Sequence, residues 1–177
     1  MSCETLGNFN LGGVEVPLFA SLGINQTYEN IGGFLVRRTM DGSAIKQQQW
    51  TKLSTSVSGR GSIPAGFDEL DFTQPLLMRC IGVRGITSAD NVVELPAARR
   101  SDTGFEPSGF ARLNGEFLWQ STTINIVGDT ATLGIVSGAA QYRVEYFPEF
   151  TVFSNPPRID VDERGKELSW TINAEEV

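Results

Sequence analysis

Two adjoining stretches decide the fold class: ARLNGEFLWQSTTINIVGDTATLGIV (residues 111–136) and AAQYRVEYF (residues 139–147). In the second, Tyr142, Val144 and Tyr146 alternate with Gln141, Arg143 and Glu145. A period of two puts the apolar set on one face of a half-buried β-strand. Pro148, which has no N–H to give a ladder, closes it. In the first stretch Asn114-Gly115 and Gly128-Asp129 supply turns, which predicts strands at about 110–113, 116–127 and 130–136.

Downstream, PRIDVDERGKELSWTINAEEV predicts a last hairpin, 157–162 with 166–173, around Arg164-Gly165. Upstream, Gly12-Gly13 separates two short extended segments, and VEVPLF follows as the second. Residues 26–31 lead to Gly32-Gly33, then FLVRRT, Asp41-Gly42 and AIKQQQWTKLSTSV. An Asp-Gly pair between strand-like runs is a strong hairpin signal. SGRGSIPAG (58–66) reads as a loop and FDELDF (67–72) as a short helical turn. LLMRCIGV (76–83) reads as a strand buried on both faces. Residues 84–110 read as a long exposed loop with a short strand near 92–95.

Composition agrees with this pattern. Val, Ile, Thr, Phe, Trp and Tyr make up 55 of 177 residues, and Ala only 11. The first group favours pleated, half-buried surfaces. No repeat or linker block appears, so the expectation is one mainly β domain over 1–177. Its form would be an antiparallel β-sandwich or barrel-like pair of sheets with extended arms.

The same composition narrows function. The chain has no histidine, which excludes Ser-His, Cys-His and His-metal chemistry. Its net charge of −7 opposes a grip on nucleic acid, which needs a basic face. No apolar run is long enough to span a membrane, and MSCETLGNFN does not read as a secretory signal. Cys3 and Cys80 read as free thiols of a protein made in a reducing cytoplasm. Arg outnumbers Lys 11 to 3, a bias that suits protein interfaces.

The candidate reactive groups read as structural. Asp68, Glu69 and Asp71 form one carboxylate cluster; Asp160, Asp162 and Glu163 form another. Neither has the spacing of a calcium loop. Gly59-Arg60-Gly61 lacks the lysine of a phosphate loop. Lys46, Lys52 and Lys166 sit at polar strand positions, and no G-x-S-x-G occurs. Trp50, Trp119 and Trp170 read first as core residues, then as partner contacts or a sugar platform. The expectation is no enzyme and no cofactor.

The run RRTMDGSAIKQQQWTKLSTSVSGRGSIPAGFDELDFTQPLLMRC (37–80) resembles small structural proteins from the tail genes of tailed bacteriophages. It pairs a charged, Trp-bearing hairpin with a G-x-G-x-x-P-x-G-h-D-x-L-D loop and an apolar strand ending in Cys. The strand bearing Trp170, followed by AEEV, is similar to that group too. The resemblance covers about residues 35–177. It implies a tail subunit (tube, neck or tip) that forms rings with its own copies and other tail proteins, located in the virion after synthesis in the host cytoplasm. It transfers no catalytic residue. Residues 1–20 and 84–110 are the expected interface arms. In the latter, Arg99, Arg100 and Asp102 would supply polar specificity, and Phe105 and Phe110 apolar anchors. A carbohydrate- or receptor-binding module of the virion and an assembly chaperone are the alternatives.

Overall fold

The computed structural model describes residues 9–162 and 167–177. The described chain is mainly β. It opens with β1 (Asn10–Leu11), β2 (Val14–Glu15), a 3-10 turn (Leu18–Ala20), β3 (Leu22–Arg38), β4 (Ala44–Gly61) and β5 (Leu76–Arg79). The middle holds β6 (Arg84–Ser88), β7 (Val92–Glu94), β8 (Ser108–Leu113), β9 (Gln120–Thr122), β10 (Ile124–Val127), β11 (Thr130–Leu133) and β12 (Ala139–Tyr146). It closes with β13 (Glu149–Ser154), β14 (Arg158–Asp162) and β15 (Glu167–Glu176). Where the sequence suggested one domain, the chain divides into two compact units: residues 10–78 with 151–177, and residues 79–150 with Phe9. The crossings fall inside β5 and β13, so no linker composition marks them.

The 79–150 unit is sandwich-like. One antiparallel sheet has the order β10-β11-β7 and the other β6-β12-β8-β9. Val93, Leu95, Ala131 and Leu133 from the first share a core with Ala111, Tyr142, Val144 and Tyr146 from the second. The alternation in AAQYRVEYF therefore has the expected outcome, with Tyr142, Val144 and Tyr146 all buried. The Tyr142 hydroxyl also has a partner, accepting a hydrogen bond from the Val136 N–H at 3.2 Å. Gly128 closes the β10–β11 turn at φ 60°, where an L side chain is strained. The region 116–127 departs from expectation: residues 114–119 form a turn and loop, and the strands are β9 and β10.

The other unit is built on one long ladder. Its sheet runs β2-β1-β5-β13-β15-β4-β3, with β14 on β15. β3 and β4 form the hairpin that Asp41-Gly42 predicts, and it is longer than the sequence suggests. Gly32-Gly33 lies inside β3 rather than breaking it, and Ser58–Gly61 belong to β4 rather than to a loop. The cause is close packing. A Cβ on Gly59 would sit 2.6 Å from the Trp170 ring, and one on Gly61 would sit 1.8 Å from the Phe19 carbonyl oxygen. Glycine here makes room for a neighbour.

Trp170 anchors this unit. It is buried, donates from Nε1 to the Ala20 carbonyl at 2.7 Å, and meets Phe67 edge-on at 5.4 Å. Leu11, Val16 and Ala20 are fully buried as well. Residues 10–15 form the β1–β2 hairpin around Gly12-Gly13, and Leu18 and Phe19 beyond it stay exposed; residues 1–8, with Cys3, lie outside the described residues. β5 alternates rather than burying both faces: Met78 is buried while Leu77 is exposed, and Cys80, just past its end, is again buried. FDELDF forms turns without a helix. β14 and β15 pair as the last hairpin requires, and the Arg164-Gly165 turn lies outside the described residues.

Candidate functional site

The expected interface residues at 84–110 are mostly engaged within their own unit. Arg99 donates to Asp129 Oδ1 at 2.7 Å and to the Gly128 carbonyl at 2.7 Å, clamping the β10–β11 turn. Arg100 is 3% exposed. It forms a forked pair with Asp102 at 2.9 and 2.5 Å and donates to the Cys80 carbonyl at 2.9 Å. Its guanidinium lies 3.2 Å from the centroid of the buried Phe105 ring, which itself meets Phe147 edge-on. The Arg100 hydrogen bonds hold the Asp102 carboxyl below its ordinary pKa. Phe110 is half-buried on β8. The segment is therefore not a long exposed arm: β6 and β7 order its first part, and buried Arg100 and Phe105 pin the rest. Arginine and phenylalanine in a Gly/Pro-rich stretch look alike whether they face a partner or their own core, so sequence could not separate the two.

The carboxylates disperse. Asp68, Glu69 and Asp71 are exposed, and Asp71 accepts from the Thr73 N–H and hydroxyl at 2.9 and 2.6 Å. Those bonds lower its pKa and make it a turn cap. Asp160 pairs with Arg158 at 3.3 Å on exposed β14, and Glu163 lies outside the described residues. Among the described residues no three acidic, cysteine or histidine side chains form a metal-binding group. The tryptophans do not share a platform, since Trp170 is core; Trp119 is half-buried, with the Arg112 and Arg143 guanidinium groups 5.7 and 5.9 Å from its ring.

What stands out instead is the outer half of the β3–β4 hairpin. From Ala44 to Thr51, every β4 residue is exposed; from Leu53 on, alternate residues are buried. β15 runs beside β4 only from Ser54 to Gly61. Beyond it the two strands stand alone, and both faces meet solvent. Strands in such a ribbon rise about 3.3 Å per residue, so the free part reaches roughly 30 Å.

Its side chains are apolar and cationic. Phe34, Leu35, Val36, Met40, Ile45 and Trp50 are all exposed. The pairs Phe34↔Gln48, Val36↔Lys46 and Arg38↔Ala44 share one face; Leu35↔Gln47 and Arg37↔Ile45 share the other. Lys46 Nζ lies 5.3 Å from the Phe34 ring centroid. At the root, Trp50 lies across Gly33, where a Cβ would come 2.8 Å from Nε1. The ladder slips by one residue between Gly33 and Phe34, a bulge that re-aims the outer part.

The tip is tied down by Asp41. Its carboxylate accepts from the Thr39 hydroxyl and from the Ser43 N–H and hydroxyl, the latter two at 3.2 Å. These bonds hold Asp41 below its ordinary pKa. Gly42 supplies the turn at φ 84°, and Thr39 and Ser43 close it backbone to backbone at 2.9 Å. A two-stranded ribbon is marginal in water by itself, and an exposed apolar patch is a general feature of surfaces that bind other molecules. The sequence held the hairpin signal; its freedom from β15 depends on long-range pairing that no local pattern carries.

No family model matches this chain, and no curated protein shows significant similarity to it.

Proposed function

We propose that the chain is a structural subunit of a bacteriophage tail, assembling into rings with copies of itself and neighbouring tail proteins. The observation that carries the assembly part is the free hairpin, with apolar side chains on both faces and no strand of its own unit alongside. β3 is also the last strand in the order of its sheet, an edge position where a neighbour's strand can add. Repeated head-to-tail contacts close into rings when the rotation per copy fits. The tail assignment draws on the resemblance across residues 35–177. A structural role also suits side chains whose ion pairs are internal clamps and whose acidic groups cap turns.

The test is twofold. Purified protein is expected to sediment as an oligomer and to show rings in negative stain. Peptides of the chain are expected in purified tailed particles by mass spectrometry. A chain abundant in infected cells but missing from particles would be an assembly chaperone instead. Glycan-array binding that Trp50→Ala abolishes would favour the receptor-binding alternative. A strict monomer absent from particles overturns the proposal.

A further inference from the structure

Within the 10–78/151–177 unit, a groove of about 350 Å³ opens beside the root of the hairpin. Phe72, Phe153 and Ala174 line it together with polar side chains, among them Asn155, Asn173 and Glu175. Phe153 is 50% exposed, so the groove presents an aromatic wall to solvent. Glu175 lines it as an acidic side chain, and Asp71, exposed, precedes Phe72 in the chain. Lys52, at the root of the hairpin, donates to the Val177 carbonyl at 2.6 Å.

The hairpin tip has the opposite character. Met40 stands fully exposed at its end. Arg37 and Arg38 precede it at the end of β3 and Lys46 stands early in β4, against Asp41 alone, whose oxygens already serve the turn; Arg38 also donates to the Gly42 carbonyl at 3.0 Å. A chain of net charge −7 thus concentrates positive charge at one projecting point. The tip cannot reach the groove of its own chain. Ser54 and Ala44 lie ten residues apart on one strand, roughly 30 Å at ~3.3 Å per residue.

Resting on the assembly reading above, we infer that the hairpin tip of one copy docks in the Phe72/Phe153 groove at the hairpin root of the next. Met40 enters between the aromatic rings, a contact that suits its flexible thioether. The cationic side chains of the tip meet Glu175, which sets orientation and speeds encounter. The contact joins two different surfaces, so it propagates from copy to copy. The hairpin length then sets the step between them.

The experiment uses the full chain with one surface blocked at a time. Met40→Asp spoils the tip and keeps the groove; Phe153→Asp spoils the groove and keeps the tip. Both positions are exposed, so each variant is expected to keep the wild-type circular dichroism spectrum and melting curve. Each alone is expected to remain monomeric where wild type assembles. Mixed in equal amounts, they have one intact tip and one intact groove between them and are expected to form 1:1 dimers by sedimentation. A second arm swaps charge: Arg38→Glu should raise the concentration needed for assembly by roughly tenfold or more, and adding Glu175→Arg in the same chain should restore it. If wild type assembles and the blocked variants assemble equally well, or their mixture forms no dimer, the tip-to-root contact is wrong while the assembly reading stands. If wild type stays monomeric at about millimolar concentration and the mixture forms no dimer, both fall.

Discussion

Strand β4 takes part twice in one device, once with β15 and once with β3. At its inner end Gly59 lies opposite Trp170, and at its outer end Gly33 lies opposite Trp50. In both, glycine leaves room for an indole to lie across the neighbouring strand. The surroundings differ. Trp170 is covered by Phe67 and hydrogen-bonded to Ala20, whereas Trp50 keeps half its surface in water. The difference comes from β15, which accompanies β4 only from Ser54 inward. The same local pairing therefore builds core where a third strand covers it and contact surface where none does.

That comparison predicts unequal costs. Trp170→Ala opens a cavity among buried side chains and should lower unfolding free energy by about 3–5 kcal/mol in urea titrations. Trp50→Ala removes a half-exposed ring and should cost about 1 kcal/mol or less. Its effect should appear in sedimentation instead, as weakened assembly. Equal losses of stability would mean that the outer ladder belongs to the folding core, and the contrast would collapse.

The glycines sharpen the contrast. Gly59→Val forces a side chain into the Trp170 ring, which has no free space to retreat into, and should cost about 2–3 kcal/mol. Gly33→Val meets Trp50 at a similar distance, but that ring can swing into solvent, so the cost should stay under about 1 kcal/mol. Differential scanning calorimetry on the two variants separates these outcomes. Comparable drops in melting temperature would show that Trp50 is held as firmly as Trp170.

These cases show what local sequence carries. Period-two alternation at Tyr142, Val144 and Tyr146, and the Gly12-Gly13, Asp41-Gly42 and Gly128-Asp129 turns, are local signals, and the mainly β, sandwich-like class follows from them. Gly59-Arg60-Gly61 misled for a physical reason. Glycine permits a turn, but it also permits a tryptophan from another strand, and only the fold decides which. Arg100 and Phe105 illustrate the same limit. Their identities suit a partner interface, yet Asp102, Cys80 and Phe147 use them inside the unit. Conversely, the hairpin was visible as a hairpin but not as an arm, because exposure of both its faces depends on where β15 lies.

A control in the other unit keeps stability and assembly apart. Asp102→Asn leaves the buried Arg100 guanidinium without its charged partner. Loss of a partner to a fully buried charge costs about 3–5 kcal/mol; Asp102 is 38% exposed, so about 2 kcal/mol is expected here. Assembly of the folded protein should be unchanged by sedimentation, because neither hairpin nor groove is touched. Impaired assembly at full folding would bring the Arg99–Phe105 segment back as an interface.

The smallest effect lies at the hairpin tip and depends on pH. Asp41 has a folded-state pKa below the ordinary 3.8, because the Thr39 hydroxyl, first, and then the Ser43 N–H and hydroxyl bond its ionised form. A carboxyl whose pKa is lowered by folding supports the fold above its ordinary pKa and stops doing so as pH falls through the lowered value. The turn should thus be intact at neutral pH and loosen only in acid, on the acid side of 3.8. Following the Asp41 side-chain carbon and the Ser43 amide together by NMR tests this. Both should shift at one midpoint below that of a free aspartate, and Asp41→Asn should remove the midpoint from the Ser43 profile. Trp170, far inside the other end of the ladder, should report no change over that step. A Trp170 signal that moves with Asp41 would make tip and root a single cooperative element, which is the opposite of what their different coverage by β15 requires.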